Sequence, residues 1–407
     1  MPSVSRTRYV RRLAAAGVVV TCAGAVLAGC SSSSSGASSG GSKTITVGLA
    51  NILTGSETAF GIDGEGAIAY FKNVNAHGGT DGYTYKWIRE DTAGSPAQAE
   101  TVARNLVQQD HVDAVLADGT IPAEGIKTIA AALKVPIIAG ADGDLFTNPV
   151  ISNFYSVLPA YKNEGGLFLQ YAKQQLNESK VALAYENDSI GQPFQASVPA
   201  WASKHGYDLV KSVGFPATTS DFSGYASALK ASGAQAVLVS AATPGLAGMV
   251  KAMAAIGYNP TVFSSWEAID PAYTALVGNL ADKDIAIDFQ LPLATKAASV
   301  TQYQNVVSKY YPKDVSSSFV EQGWNFAAIV DQAVKDTVKA GKPVTGENLV
   351  ATMNTFANLA IGTLPSVTYD SQEHYSTTRA YLYKVQNLGD GGVSASRASD
   401  LLTLPSS

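Results

Sequence analysis

The chain of 407 residues is poor in cysteine, histidine and charge. Its two cysteines, Cys22 and Cys30, both lie near the N-terminus, so the rest of the chain offers no thiol for a disulfide, a zinc site or a cysteine nucleophile. The four histidines are scattered without metal-ligand spacing, and we expect neither a metal nor a cofactor. Residues 1–29 hold four of the 28 basic residues and no acidic one, which leaves 24 basic against 33 acidic residues. This negative balance argues against nucleic acid as a partner.

The motifs of common enzyme classes are also missing. Residues 36–40 (GASSG) fit a nucleophile-elbow string, but they lie in a Ser/Gly-rich segment with no strand before them. Gly61, Gly64 and Gly66 lack the spacing of a dinucleotide-binding loop, and there is no phosphate-binding P-loop. We therefore expect that the protein is not an enzyme.

The N-terminus has the organisation of an export signal. Four arginines within residues 6–12 precede an apolar run over residues 13–26, which is too short for a comfortable transmembrane helix. The run ends in Leu27-Ala28-Gly29-Cys30, which resembles the lipobox of a bacterial lipoprotein. We expect a signal peptide over 1–29, lipidation of Cys30 and anchoring to the outer face of the cell membrane. A plain secretory signal is the alternative, and the export route, Sec or twin-arginine, stays open.

After a Ser/Gly tether over residues 30–43, short β-branched runs alternate with helical segments. Residues 44–50 place Ile45, Val47 and Leu49 on one face, which predicts a strand. Ser95-Pro96 predicts a helix start, because the hydroxyl can cap the helix and proline suits its first position. Such alternation predicts an α/β fold with parallel sheets. A restart of the same pattern near residue 164 favours two lobes with a ligand cleft between them, and one enlarged sheet is the alternative.

Several short segments carry a family resemblance. Leu53-Thr54-Gly55, residues 75–79 (NAHGG), Glu186-Asn187-Asp188 and Gly323-Trp324-Asn325 follow in the order and spacing of the leucine/isoleucine/valine-binding-protein family, the type I periplasmic substrate-binding proteins of ABC importers. The resemblance implies two Rossmann-like lobes with parallel central sheets, joined by a three-strand hinge, and helices near 302–310 and 326–340. The implied layout is lobe 1 over 44–158 and 290–363, and lobe 2 over 159–289 with its completion and C-terminal tail over 364–407.

The resemblance also implies ligand contacts. In lobe 1, Phe60 takes the place of an aromatic residue that covers the ligand, with a core position as the alternative. The loop of Asp118 and Thr120 matches one that supplies hydroxyls and amides to a ligand carboxylate. It departs from the family pattern, because Thr120 is its only hydroxyl and Pro122 donates no amide. A second ligand loop is matched by Gly140, Ala141 and Asp142.

In lobe 2, Ile190 stands where a ligand-stacking tyrosine is common, and Thr243 stands where another contact falls. Glu267 aligns with the acid that pairs with a ligand ammonium, and a surface glutamate beyond a strand end is the alternative. Trp266 and Trp324 either stack on the ligand or pack in the core.

These departures leave the ligand class open. Glu267 favours an amino acid, whereas the altered carboxylate loop and the acidic Asp118, Asp142 and Asp144 favour a neutral or cationic solute such as an amide or amine. We expect a monomer that delivers this small molecule to an ABC permease and its ATPase. A lipid-anchored sensor or adaptor with the same fold is the alternative, and an extracytoplasmic hydrolase is a more remote one.

Overall fold

The computed structural model describes residues 43–55, 57–146, 149–370, 372–389 and 392–405. The predicted signal peptide, Cys30 and nearly all of the tether lie outside the described residues. Within the described part, no helix is both long enough and apolar enough to cross a membrane.

The first lobe is built on a parallel sheet. Its strands are β1 (Lys43–Asn51), β2 (Tyr83–Asp91), β3 (Ala114–Asp118), β4 (Ile137–Gly140) and β5 (Phe154–Ser156). They pair in the order β2-β1-β3-β4-β5. Every residue of β3 and β4 is buried, as expected for central strands with helices on both faces. The strand predicted over 44–50 is confirmed as β1.

Helices cover this sheet: α1 (Asp63–Ala76), α2 (Pro96–Gln108), α3 (Thr120–Lys127) and α4 (Ala130–Leu133). The predicted start of α2 is confirmed, because the Ser95 hydroxyl accepts from the amide of Gln98 and Pro96 is the first helical residue. The sequence predicts a single helix over 123–133, and this prediction is wrong. The chain forms α3 and α4 there, and the Thr128 hydroxyl between them bonds the carbonyl of Gly125 at 2.8 Å.

The second lobe has a mixed sheet with a parallel centre. The parallel strands are β6 (Lys180–Glu186), β7 (Asp208–Phe215), β8 (Ala236–Ser240), β9 (Thr261–Ser264) and β10 (Asp284–Asp288). Their order is β10-β9-β8-β6-β7. Antiparallel strands β13 (Arg379–Gly389) and β14 (Gly392–Arg397) extend the sheet beyond β10, and β15 (Leu402–Thr403) pairs with β13. These antiparallel strands add to the parallel centre that the sequence predicts.

The helices of this lobe are α5 (Tyr161–Gln175), α6 (Gln192–His205), α7 (Ser223–Ala231), α8 (Thr243–Ala255) and α9 (Pro271–Val277). After β10 the chain returns to the first lobe through α10 (Ala298–Tyr310), α11 (Ser318–Lys339) and α12 (Gly346–Met353). A hairpin of β11 (Leu359–Ile361) and β12 (Leu364–Val367) follows. After β12 the chain crosses from the first lobe back to β13 of the second lobe. This is its third crossing between the lobes, and it lies beyond the boundary predicted at residue 363.

Helices α1 and α11 approach each other closely at two glycines. A Cβ added to Gly66 would lie 1.8 Å from the carbonyl oxygen of Val320, and one added to Gly323 would lie 1.7 Å from that of Asp63. Only glycine permits this contact. The resemblance implies this second helix, α11, over about 326–340. In the structure it begins eight residues earlier, at Ser318, where the hydroxyl of Ser317 accepts from the amide of Val320.

Candidate functional site

The candidate site lies where the carboxyl ends of the two parallel sheets meet. In open α/β folds, ligands bind beyond these strand ends. The first lobe contributes the segments after β1, β3 and β4, and the second contributes those after β6, β8 and β9. Phe60 and Thr120 thus come from one lobe, while Trp266 and Glu267 come from the other.

Aromatic rings join the two walls of the cleft. Phe60 opens a short 3₁₀ helix, Phe60–Ile62, and its ring centroid lies 6.3 Å from that of Trp266. The ring centroid of Phe319, at the start of α11, lies 4.8 Å from the centroids of both rings. Phe60 and Trp266 are both buried, and the indole Nε1 of Trp266 has no hydrogen-bond partner. The lobes are therefore in contact in this structure, with an unused donor at the contact.

The Thr120 loop has its polar groups engaged within the protein. The Thr120 hydroxyl accepts from the amide of Asp142 at 3.2 Å and lies 3.3 Å from the hydroxyl of Tyr161. Gly119, just before it, has a φ of 76°, a conformation that favours glycine. The hydroxyl predicted to hold a ligand carboxylate therefore bonds to the chain itself.

Asp142 caps a helix that enters the second lobe. Its Oδ1 accepts from the amide of Tyr161, the first residue of α5, at 2.9 Å and from the amide of Asp144 at 3.1 Å. Burial raises the pKa of Asp142 to about 7. In sequence, Asp142 could equally be a solvated turn residue, but that interpretation is wrong, because the residue is only 5% exposed. Asp142 thus positions α5 against the first lobe.

Glu267 is buried in the segment after β9. Its side chain is 3% exposed, and its Oε2 has no hydrogen-bond partner in the protein. Burial raises its pKa to about 8, and the nearby Glu57 adds to this shift. The surface-glutamate alternative is therefore wrong, and Glu267 keeps one buried oxygen without a donor.

A second carboxylate, which sequence reasoning missed, lies beside it. Glu164 on α5 is fully buried, and its Oε2 accepts from the hydroxyl of Ser265 at 2.9 Å, while its Oε1 has no partner. Burial raises the pKa of Glu164 well above its usual value, and Glu267 and Asp142 raise it further. The sequence carries no signal for this role, because Glu164 looks like an ordinary acidic residue in the first turn of a helix.

The wall formed by β6 and β8 holds a third buried carboxylate. Glu186 accepts from the amide of Ala242 at 2.9 Å, and burial raises its pKa to about 8. Ile190 is buried nearby, and its carbonyl accepts from the Ser240 hydroxyl at 3.0 Å. Thr243 begins α8, and its Oγ1 is buried without a partner.

Other predicted site residues are placed differently. Asp118 Oδ2 accepts from the amide of Ile52 at 2.8 Å, which ties β3 to the end of β1. Trp324 packs between helices, with its ring centroid 4.7 Å from that of Tyr70 and 5.7 Å from that of Tyr303. Trp324 therefore packs in the core, as the alternative interpretation of the sequence has it, and it lies outside the candidate site.

Gly140 and Ala141 end β4 and line the same junction without offering side-chain chemistry. A Cβ added to Gly140 would lie 2.2 Å from Oε1 of Gln322, so α11 packs directly on this strand end. Ala141 is fully buried, and its carbonyl accepts from the Ser156 hydroxyl. These residues shape the floor of the cleft.

The cleft carboxylates have no cation beside them. Within the described ranges, no lysine, arginine or histidine contributes to the pKa shift of Glu164, Glu186 or Glu267, and none forms an ion pair with them. The same part of the chain contains no cluster of three or more His, Cys, Asp or Glu side chains that could hold a metal ion. The arrangement suits a ligand that donates hydrogen bonds.

A family model described as periplasmic binding protein matches residues 44–392. The chain belongs to the periplasmic binding protein family. An amino acid binding protein of Pseudomonas aeruginosa is 28% identical over 214 residues, which are 51% of this chain and 57% of the relative. The chain thus matches little more than half the length of this relative. A leucine-, isoleucine-, valine-, threonine- and alanine-binding protein of the same species is 22% identical over 77% of this chain and 84% of its own.

Solved structures share the fold of this periplasmic binding protein. A branched-chain amino acid ABC transporter protein from Thermus thermophilus with bound valine superposes with a TM-score of 0.79 at 16% identity, over 89% of this chain and 97% of its own. A fatty acid ABC transporter substrate-binding protein from Thermomonospora curvata has the same TM-score at 20% identity, over 89% of this chain and 92% of its own. At such identities the likeness shows the fold alone. The predicted two-lobed α/β fold and the family resemblance are confirmed.

Proposed function

We propose that this periplasmic binding protein captures a small polar solute, an amino acid or a related amide or amine, in the cleft between its lobes. The main support is a set of buried polar atoms without protein partners on the second-lobe wall: Glu164 Oε1, Glu267 Oε2, Trp266 Nε1 and Thr243 Oγ1. Leaving such an atom unsatisfied costs about 1–3 kcal/mol, so native structures contain few of them. A solute that hydrogen-bonds to these atoms removes that cost.

The solute is then delivered to an ABC permease and its ATPase from outside the cytoplasm. The names of the structural neighbours, which describe parts of ABC transporters, support this role. Deleting the protein should abolish high-affinity uptake of its solute by whole cells, and the wild-type gene should restore it. Unchanged uptake would favour the sensor or adaptor role.

A lipid on Cys30 anchors the protein, and the sequence supports this part of the proposal through Leu27-Ala28-Gly29-Cys30. Stable attachment needs more than one acyl chain, and lipoproteins of this pattern carry several. Intact-mass analysis of the native protein should show a lipid adduct at Cys30. Cys30→Ala should move the protein out of the detergent phase, and retention there would contradict the anchor.

The capture step has two direct measurements. Mass spectrometry should detect a small molecule released when gently purified protein is denatured. Small-angle scattering should then show a smaller radius of gyration when the stripped protein is saturated with that molecule, because binding closes the two lobes by hinge motion. Release of no solute, together with an unchanged radius across a panel of amino acids, amides and amines, would contradict solute capture.

A further inference from the structure

Two carboxyl groups of the cleft each keep one oxygen without a donor. Glu164 and Tyr161 lie three residues apart on α5, so they share a face of the helix. Tyr161 reaches the Thr120 hydroxyl of the first lobe, and Glu164 accepts from Ser265 of the second. Glu164 therefore lies at the junction of the lobes, with its second oxygen unused.

Glu267 approaches the same place from the segment after β9. It follows Ser265, the hydrogen-bond partner of Glu164, by two residues, and a negative charge on Glu267 raises the pKa of both Glu164 and Tyr161. One oxygen of Glu267 is also unpartnered although the residue is almost fully buried. Burial favours the neutral form of both carboxyls, so the pair can ionise only beside a cation, and no cationic side chain in the described part of the protein supplies one.

The Thr120 loop, which matches the family loop that holds a ligand carboxylate, is poor in free donors. The Thr120 hydroxyl and the Asp142 amide bond to each other, and Pro122 has no amide to give. Asp142 follows β4 and lies against this loop, where a negative charge on its carboxyl would repel an anion. The donors without partners on the opposite wall, Trp266 Nε1 and the Thr243 hydroxyl, are both uncharged, and no cationic side chain in the described ranges accompanies them.

We propose that the solute is an amine or guanidinium cation without an adjacent carboxylate, and that Glu164 and Glu267 jointly accept its N–H groups. This proposal rests on the proposed function and narrows its ligand class. Glu164 becomes a specificity-determining residue. The rings of Phe60 and Trp266 suit such a ligand, because aromatic faces attract cations and pack against an alkyl chain.

Matched pairs of compounds test the ligand class. Calorimetric titration of the full-length protein, stripped of solute, would compare leucine with isoamylamine, phenylalanine with phenethylamine, lysine with 1,5-diaminopentane, and arginine with agmatine. In each pair the second compound is the first without its carboxyl group. We expect at least one amine to bind at least about tenfold more tightly than its amino acid. Amino acids that bind as well as or better than all of their amines, or a panel without any amine binding, would overturn the proposal.

Variants then test the two carboxyls with the best-binding amine. Glu164→Gln and Glu267→Gln should each weaken binding about tenfold or more, because each removes a charge-assisted hydrogen bond. Glu347→Gln, which changes an exposed glutamate near Lys134, is the matched control and should leave affinity unchanged. Wild-type affinity in a folded Glu164→Gln protein would overturn the role of Glu164.

If Glu164→Gln does not fold, Ser265→Ala provides the test, because it keeps both carboxyls and removes the hydroxyl that holds Glu164. It should weaken amine binding several-fold, and unchanged affinity would count against Glu164. Amino acids that close the lobes and bind as well as or better than all of their amines would overturn this inference and leave the proposed function intact. Absence of any released solute, binding or closure would overturn the proposed function itself.

Discussion

Replacing Glu267 by glutamine is expected to change how the stability of the solute-free protein depends on pH. The ordinary pKa of this carboxyl is 4.5, and burial raises its pKa to about 8 in the folded protein, with a smaller contribution from the negative charge of Glu57. At a pH between 4.5 and about 8, Glu267 holds a proton in the folded protein and has released it in the unfolded chain. Proton binding of this kind links stability to pH.

The sign follows from the direction of the shift. The contribution of Glu267 to the free energy of unfolding is fully present below pH 4.5 and is lost as the pH rises through about 8. One such group changes the free energy of unfolding by about 1.4 kcal/mol per pH unit, so wild type loses roughly 2–3 kcal/mol through Glu267 between about pH 5 and about pH 7. The glutamine variant lacks this loss, so its stability relative to wild type should rise by that amount.

Urea unfolding followed by circular dichroism, at several pH values between about 5 and 8, measures this difference. Buried carboxyls whose raised pKa does not depend on Glu267, such as Asp142 and Asp288, are present in both proteins and cancel in the comparison. Glu347→Gln, at an exposed site, should follow wild type at every pH. A constant difference between Glu267→Gln and wild type would show that Glu267 has the same protonation in both states, and the burial argument would fail.

Three packing and capping predictions accompany this one. Trp266→Ala should lower the free energy of unfolding by about 3–5 kcal/mol in thermal or urea unfolding, because a buried ring is lost, while Trp266→Phe should cost less. Gly66→Ala should destabilise by several kcal/mol or prevent folding, since its Cβ would overlap the Val320 carbonyl, whereas Gly224→Ala, with open space around it, should be tolerated. Asp142→Ala should cost about 0.5–2 kcal/mol through loss of the α5 cap, and wild-type stability would contradict that role.

Local sequence patterns predict the regular elements where burial and periodicity agree. The alternation of Ile45, Val47 and Leu49 predicts β1, and Ser95 with Pro96 predicts the start of α2. The restart of the βα pattern after residue 160 predicts the second lobe, whose parallel strands β6 to β10 are present. These features depend on near neighbours in the chain, so they can be read from it.

The start of α11 could not be read in this way. Its first turns contain Glu321, Gln322 and Asn325, polar residues that suggest a loop or an exposed face, yet all three are buried. Asn325 donates to Gln290 and Thr363, which lie 35 and 38 residues away in the chain. Distant partners therefore satisfy Asn325, and the buried position of these first turns is set by segments far away in the chain.

The two tryptophans show the same limit at the site. Trp266 and Trp324 offer equal chemistry in the sequence, but Trp266 lies at the contact between lobes, and Trp324 packs between α1, α10 and α11. Both are almost fully buried, so exposure would not separate them either. Only the path of the chain decides which ring can meet a solute.

By itself, the sequence determined the α/β alternation, the family and the position of Glu267 beyond a strand of the second lobe. Tertiary structure alone decided that Glu164 shares its surroundings with Glu267, because its hydroxyl partner Ser265 lies 101 residues away. It also decided that the Thr120 hydroxyl is used within the chain. Burial, pKa and unpaired hydrogen-bonding groups all depend on which distant segments exclude water from a side chain, and a linear pattern does not contain that information.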